Sequence, residues 1–217
     1  MRQYFTPLIL GLITLQGLFM SVSANDVSPP MYKGTETLAY EVVQKLGENI
    51  EIRAYAPAVK VSAVADGENN AFGQLFRYIS GANSVNKDIA MTSPVEMSSL
   101  SAKIAMTTPV EMTMNSQKNM KMSFFLPSMY NYNTAPKPTG PGITLTEVPP
   151  KMVGVIRFSG LRGESKVTEK TSQLRESLKR ANYHIISEPV MMGYDAPWTL
   201  WFKRRNEVMF EVVSPAS

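Results

Sequence analysis

Cysteine is absent from all 217 residues of the chain, and histidine occurs once, at position 184. Without a thiol the protein can form no disulfide, no thiolate metal site and no cysteine nucleophile. No histidine and carboxylate cluster with metal-ligand spacing is present, and no glycine-rich phosphate loop. His184 is expected at the end of a predicted helix, where capping is a commoner role than catalysis. The sequence therefore predicts a protein that is not an enzyme, with no catalytic residue and no metal ligand.

The chain also lacks a large excess of either charge. The chain has 22 Lys and Arg against 18 Asp and Glu, a formal net charge of +4, and the two signs are interspersed. Only Lys203, Arg204 and Arg205 form a basic run, which a solvated strand end explains better than a phosphate site. The composition is therefore too weakly basic for a nucleic-acid-binding surface.

Long apolar runs are scarce as well, because the one near the N terminus covers only Leu8–Met20. A membrane-spanning helix needs about 20 residues. With Arg2 before it and Val22-Ser23-Ala24 after it, the run has the features of an export signal, residues 1–24. No cysteine is available for lipid attachment. We therefore expect a periplasmic or secreted protein that begins at Asn25 and keeps no stable membrane anchor.

The most informative segment of the chain is a near-duplicate. Ile89–Met97, with the sequence IAMTSPVEM, returns at Ile104–Met112 as IAMTTPVEM. In both copies apolar residues occupy alternate positions, which is the period of a half-buried strand. We expect the two copies to pair as antiparallel strands around a turn at Ser98–Lys103, with Val95 opposite Met106.

Proline in both copies is expected to distort this sheet. Pro94 and Pro109 cannot donate a ladder hydrogen bond, so each must lie at a bulge, at an edge or with its nitrogen pointing away from the partner strand. Other apolar runs and alternations predict further strands. These lie within Leu38–Val64, where two strands are separated at Gly47-Glu48-Asn49, and over Met120–Leu126, Ile143–Val148, Met152–Phe158, Ile185–Met192, Trp198–Phe202 and Glu207–Val213.

Two amphipathic helices are predicted, over Asn69–Ser80 and Glu164–Asn182. Each follows a pair of strands and precedes further strands. The chain after a polar leader, residues 25–37, is therefore interpreted as one domain, residues 38–217, with a two-fold internal repeat. We predict an α+β fold with mostly antiparallel strands.

The first predicted helix suggests a ligand site. Its apolar stripe, Phe72, Leu75, Phe76 and Ile79, leaves Asn70, Gly73, Gln74 and Arg77 on another face. A glycine there opens space, and a flat apolar ligand could lie against this face while Arg77 pairs with its carboxylates. A glycine on a solvated face with no ligand is the alternative.

Methionine is unusually frequent, with 15 residues in the chain. The clusters Met112-x-Met114, Met120-x-Met122 and Met191-Met192 could hold Cu(I), which prefers soft thioether ligands. The same spacing arises when alternate residues of a strand face a core, where methionine fills irregular gaps. Core or pocket lining is favoured, and a copper-binding module stays as an alternative.

Several separated segments resemble the SOUL, or heme-binding protein, family. They are Asp88–Met97, Lys103–Met112, Phe124–Pro127, Arg157–Gly160, Gly193–Trp198 and Arg204–Val208, and the resemblance spans about residues 40–213. It implies a distorted antiparallel β-barrel flanked by two helices, a pseudo-two-fold repeat and a similarity to bacterial effector-binding domains. It also implies reversible binding of heme or porphyrin in a shallow apolar groove along the first helix.

The resemblance nominates site residues as well. A basic residue before a tyrosine on this helix is associated with the porphyrin carboxylates, and Arg77 precedes Tyr78 here. A second basic position is occupied by Thr199 and Leu200, so Lys203 is the nearest cation. The candidate tetrapyrrole-binding residues are thus Asn70, Gly73, Gln74, Arg77 and Lys203, with no axial histidine. The implied function is trafficking or sequestration of an exported tetrapyrrole, and a tetrapyrrole-modifying or demetallating enzyme is an alternative.

Overall fold

The computed structural model describes residues 28–99, 119–196 and 198–214. The predicted export segment and the second copy of the duplicated segment, Ile104–Met112, lie outside these residues. The described part contains two α-helices, α1 (Glu68–Ile79) and α2 (Glu164–Arg180), and a short 3-10 helix over Trp201–Lys203. Its strands are β1 (Met31–Tyr32), β2 (Thr35–Glu36), β3 (Tyr40–Lys45), β4 (Ile50–Tyr55), β5 (Ala58–Asp66), β6 (Val95–Ser99), β7 (Asn119–Phe125), β8 (Ile143–Val148), β9 (Lys151–Phe158), β10 (His184–Ile185), β11 (Val190–Gly193) and β12 (Asn206–Val213).

Ten of the strands form one antiparallel sheet. Its order is β3-β4-β9-β12-β11-β6-β7-β5-β8, with β10 paired to β12, while β1 and β2 form a separate hairpin. The predicted α+β class is confirmed. Among the described residues β3 and β8 are the unpaired edges of the sheet, so the sheet is not closed and the predicted distorted β-barrel is not confirmed.

The two halves of the chain contribute units with the same order. The first unit is β5, α1, β6 and β7, and the second is β9, α2, β11 and β12. In each unit the last strand pairs with both the first and the third. The third strands, β6 and β11, pair with each other and join the two units at the centre of the sheet.

The duplicated segment forms a shorter strand than predicted. The expected strand was Ile89–Met97, but β6 covers Val95–Ser99 and begins directly after Pro94, which cannot donate to a ladder. Residues 95–97 pair with β7 on one side and with β11 on the other. Both edges are thus occupied, so the predicted pairing of this stretch with the second copy is wrong. Ser98, expected in a turn, continues the strand.

Both helices cover the same face of the sheet. α1 packs on β5 and β7, and α2 packs on β9 and β12. The buried apolar residues between each helix and its strands form a core, and Met191 of β11 packs against both cores. Because successive strand residues point to opposite faces, Ile156 beneath α2 alternates with Val155, which belongs to a third core on the other face. In the described part of the chain, the sheet therefore has both helices on one face and a third core, next to a buried Arg53–Glu207 ion pair, on the other.

The segment between β10 and β12 differs most from the predicted strands. The strand expected over Ile185–Met192 is divided into β10 and β11 by residues 186–189. The strand expected over Trp198–Phe202 is wrong, because these residues form a turn and a 3-10 helix. His184, expected as a helix cap, is an exposed residue of β10 paired with Val213. No helix in the described part of the chain is long and apolar enough to cross a membrane.

Candidate functional site

An apolar groove lies over the centre of the sheet. α1 packs on β5 and β7, and α2 packs on β9 and β12, so the strands β6 and β11 between them are left partly uncovered. The groove measures about 510 Å³, within the usual range for small-molecule pockets. It is lined by Thr35, Glu68, Asn69, Phe72, Phe76, Met91, Thr92, Ser93, Val95, Met97, Met122, Arg162, Gly193, Tyr194, Asp195, Ala196 and Trp198.

Two phenylalanines of α1 form one wall of the groove. Phe72 and Phe76 stack with ring centroids 6.0 Å apart, and Phe72 also meets Phe124 of β7 edge to face. Phe76 was expected in the core stripe, but 49% of its surface is exposed. The buried stripe instead contains Ala71 and Tyr78 beside the predicted Leu75 and Ile79. An aromatic ring left open to solvent beside an apolar groove is available to a ligand.

Three methionines also line the groove. Met97 and Met122 come from neighbouring strands and are directly opposite one another, and both are buried. Met91 precedes β6 and is exposed. Thioethers are polarizable and adapt to flat aromatic surfaces, and they can also ligate heme iron. Within the described residues no cluster of His, Cys, Asp or Glu could hold a metal ion.

Arg162 is the basic residue that lines the groove. Its Nη1 donates to Met97 Sδ at 3.4 Å, and its Nη2 lies 3.4 Å from Glu68 Oε1. Gly193 makes room for it, because a Cβ there would lie 2.8 Å from Arg162 Nη1. The contact with Glu68 is long and its partner is half exposed, so the guanidinium can exchange it for a ligand carboxylate at small cost.

The groove wall after β11 is fixed by Asp195. Its carboxylate accepts hydrogen bonds from Tyr32 Oη at 3.0 Å, from Lys33 Nζ at 2.5 Å and from the Arg205 backbone N–H at 2.6 Å. Burial alone would raise the pKa of Asp195, but these hydrogen bonds outweigh it and hold the pKa below its usual value. The β1–β2 hairpin is thereby attached to the groove wall.

A buried charge cluster supports this wall from the other face of the sheet. Glu207 is 1% exposed and accepts from Arg53 at 3.0 and 3.2 Å, from Arg205 at 2.7 Å and from Tyr194 Oη at 2.8 Å. Burial would raise the pKa of Glu207, but the positive charge of Arg53 and then of Arg205 keeps it lowered. Burial raises the pKa of Tyr194 well above its usual value, so its hydroxyl stays protonated. Tyr194 therefore faces the ionised Glu207 and is no phenolate ligand.

The residues that the sequence nominated do not line this groove. Asn70, Gly73, Gln74 and Arg77 share the polar face of α1, where Asn70 and Arg77 are exposed. Among the described residues nothing lies within 4 Å of a Cβ added at Gly73, so this face is open to them. Gln74 Oε1 is buried and has no hydrogen-bond partner in the described part of the chain.

Lys203, the fifth nominated residue, is exposed and lines a different cleft, whose lining residues are distinct from those of the groove. The structure therefore brings the four nominated residues of α1 together and leaves Lys203 apart from them. Arg162, Phe76 and Met91 were missed as site residues. Arg162 precedes α2 and Met91 precedes β6, so no helical or strand period relates them to α1. Phe76 could have been found from the sequence only as an aromatic residue on α1, and its spacing in the apolar stripe is that of an ordinary core position.

A family model described as SOUL heme-binding protein matches residues 35–211. The match spans most of the chain, and the chain belongs to the SOUL heme-binding protein family. Membership indicates tetrapyrrole binding. No curated protein matches the sequence.

Similar solved structures share the fold at low identity. A hydrolase from Listeria innocua has a TM-score of 0.54 and 8% identity, and the alignment covers 76% of this chain and 92% of that chain. The structure of an EcmrR–DNA complex has a TM-score of 0.51 and 11% identity, with 76% of this chain and 57% of that chain covered. At these identities the similarity concerns the fold alone.

Proposed function

We propose that the protein binds a heme or porphyrin reversibly in the groove over β6 and β11. The observation that carries this proposal is an apolar groove, with two stacked phenylalanines and three methionines in its lining, in a chain of a heme-binding family. A porphyrin is flat and apolar apart from its carboxylates, and such a surface is matched by aromatic and thioether side chains.

Arg162 supplies the polar end of the site. A guanidinium binds carboxylates through two parallel N–H groups, and Arg162 lies between the floor residue Met97 and the α1 residue Glu68. Arg77, which the family resemblance indicates, lies on the neighbouring polar face of α1 and is the alternative contact for the carboxylates. Comparing variants of the two arginines distinguishes the two faces.

Iron ligation by a chain residue is proposed only through methionine. Tyr194 donates its hydroxyl to Glu207, and His184 lies on β10, which contributes nothing to the groove. Met91, which is exposed at the groove, is the best placed thioether. When bound, heme would supply its own iron chemistry, while the chain orients it and limits its contact with water.

Trafficking or sequestration outside the cytoplasm is proposed rather than catalysis. The carboxylates that line the groove are engaged, Glu68 with Arg162 and Asp195 with Lys33, which leaves them poorly suited to proton transfer.

The apolar run Leu8–Met20 with its small-residue cleavage site supports export. Mass spectrometry of the exported protein should give Asn25 as its first residue, and an intact Met1 would remove the export proposal.

A visible absorption titration tests the binding proposal. Purified protein should bind hemin and also metal-free protoporphyrin, because apolar contact rather than iron ligation provides most of the affinity. Phe76→Ser removes an exposed wall ring and should weaken hemin binding by about ten-fold. Met129→Ser, which removes an exposed side chain that is not among the groove lining, is the matched control. Equal affinity of Phe76→Ser and Met129→Ser would reject this groove.

A further inference from the structure

A cluster of exposed apolar side chains follows β11. Residues 198–203, here the aromatic loop, expose Trp198, Leu200, Trp201 and Phe202 by 86%, 56%, 57% and 52%. These four large apolar side chains within five consecutive positions belong to none of the three cores formed by the described residues. Apolar clusters of this kind on a folded surface mark interaction sites.

The aromatic loop has a defined shape. Its backbone forms a turn, Thr199 N–H to Ala196 O at 3.0 Å, and then one turn of 3-10 helix, Lys203 N–H to Leu200 O at 2.9 Å. Arg204 Nε donates to Thr199 O at 2.7 Å, and the rings of Trp201 and Phe202 meet edge to face at 5.5 Å. The apolar side chains are therefore presented on a preorganised projection, which lowers the entropy cost of binding.

A cationic cleft adjoins the aromatic loop. The cleft measures about 490 Å³, and Arg157, Lys203, Arg204 and Arg205 line it together with the polar residues Asn49 and Ser159. No carboxylate is among the described residues that line it, although Arg205 is neutralised by Glu207 behind it. Within the described part of the chain, the side chains of Arg157 and Lys203 make no ion pair.

We propose that the aromatic loop and the cationic cleft dock the protein on a bilayer surface that contains anionic lipids. Tryptophan, phenylalanine and leucine flanked by lysine and arginine are the composition of interfacial membrane anchors, in which rings enter the headgroup region and cations meet lipid phosphates. Charge argues against a second copy as the occupant. A symmetric contact through this loop would bring two sets of like charges together.

Docking would place the groove at the membrane. Trp198 belongs both to the aromatic loop and to the groove lining, so the loop is the rim of the groove. If the groove binds a tetrapyrrole as proposed above, this geometry lets the apolar ligand pass between bilayer and groove without crossing water. The docking itself concerns the protein without its tetrapyrrole and is tested separately.

Tryptophan fluorescence reports on this loop alone, because Trp198 and Trp201 are the two tryptophans of the chain. Vesicles of equal phosphatidylcholine and phosphatidylglycerol should shift the emission of ligand-free protein to shorter wavelength. Vesicles with brominated acyl chains should quench it. Pure phosphatidylcholine vesicles should bind at least about ten-fold more weakly, because the cations lose their partners.

Variants separate the loop from the rest of the surface. Phe202→Ser keeps both tryptophans and should weaken vesicle binding by about ten-fold, since an inserted aromatic side chain is lost. Arg157→Gln combined with Lys203→Gln should remove most of the preference for anionic lipid. Ile186→Ser, another exposed apolar position outside the loop, should bind like the wild type. Hemin titration in solution should give the same affinity for Phe202→Ser and the wild type, which separates docking from tetrapyrrole binding.

Three results would overturn the docking proposal. The first is an unchanged emission spectrum with the anionic vesicles. The second is equal weakening in Phe202→Ser and Ile186→Ser. The third is an emission shift with soluble polyglutamate as large as that with vesicles, which would assign the surface to an acidic protein partner.

Discussion

Arg162 and Arg77 are the two candidate partners for the carboxylates of a bound tetrapyrrole, and Arg162 is the one that lines the groove. A charge-assisted hydrogen bond contributes about 1.5 to 3 kcal/mol. Arg162→Ala should therefore weaken hemin binding by about ten-fold or more. Arg77→Ala, on the exposed polar face of α1, is the matched control and should bind within about two-fold of the wild type, a difference near 0.4 kcal/mol. The reverse result in an absorption titration would place the ligand on the polar face that the sequence nominated.

Glu207 is the single residue whose loss should disturb the groove wall most. Glu207→Gln leaves Arg205 without its counter-charge and Arg53 with only the more exposed Glu51, and breaking a buried pair costs about 3 to 5 kcal/mol. Urea unfolding at neutral pH measures this difference. Glu51→Gln removes a partner of the same Arg53 at a more exposed position and should cost much less. Equal stability of the two variants would show that the cluster is not coupled to folding.

The pH dependence of stability follows from the same carboxylate. The pKa of Glu207 is lowered in the folded state from its ordinary value of 4.5. Its contribution is therefore complete above that ordinary value and is lost as the pH falls through the lowered folded-state pKa. Between pH 5 and the acid transition, Glu207→Gln should lose less stability than the wild type. A parallel loss in both proteins would assign the acid sensitivity to other groups, such as Asp195.

Replacing each of two glycines in different elements by alanine should change the stability of the protein in opposite directions. Gly154 of β9 lies beneath α2, and a Cβ there would be 2.5 Å from Leu178 Cδ2 and 3.2 Å from its Cγ. Leu178 is fully buried, so Gly154→Ala should destabilise the protein by about 1 to 3 kcal/mol. Gly73 in α1 meets nothing within 4 Å, so Gly73→Ala should stabilise it by up to about 1 kcal/mol. Thermal unfolding of both variants checks the pair.

Helices were easier to predict than strand partners for a physical reason. The period of the apolar residues placed α1 and α2 within two residues of their observed ends, because that period is set within one element. The pairing of β6 depends on residues far along the chain, since β7 and β11 take both of its edges. A local duplicate suggested a hairpin, and no local pattern could show that both edges were occupied.

The groove is a property of the whole sheet rather than of one element. It exists because each unit covers its own strands with one helix and leaves β6 and β11 between them. Its floor comes from β6, β7 and β11, and the rest of its lining comes from the β1–β2 hairpin, α1, the segment before β6, the segment before α2 and the loop after β11. The sequence showed the repeat and the ligand class through the family resemblance. It could not show the junction where the site lies, because that junction is formed by tertiary packing.

A ligand that bridges the two units at this junction should stabilise the whole molecule. A ligand bound to the folded state alone adds about 2.7 kcal/mol when its free concentration is 100 times its Kd. For a domain of this size, each kcal/mol shifts Tm by about 2 to 4 °C, so saturating hemin should raise Tm by roughly 5 to 10 °C. Metal-free protoporphyrin should give a similar shift, whereas Phe76→Ser at the same hemin concentration should give a smaller one. An unchanged Tm for the wild type with both ligands would remove the groove as a tetrapyrrole site, and a shift with hemin alone would instead make iron ligation, with Met91 as the first candidate, the main source of affinity.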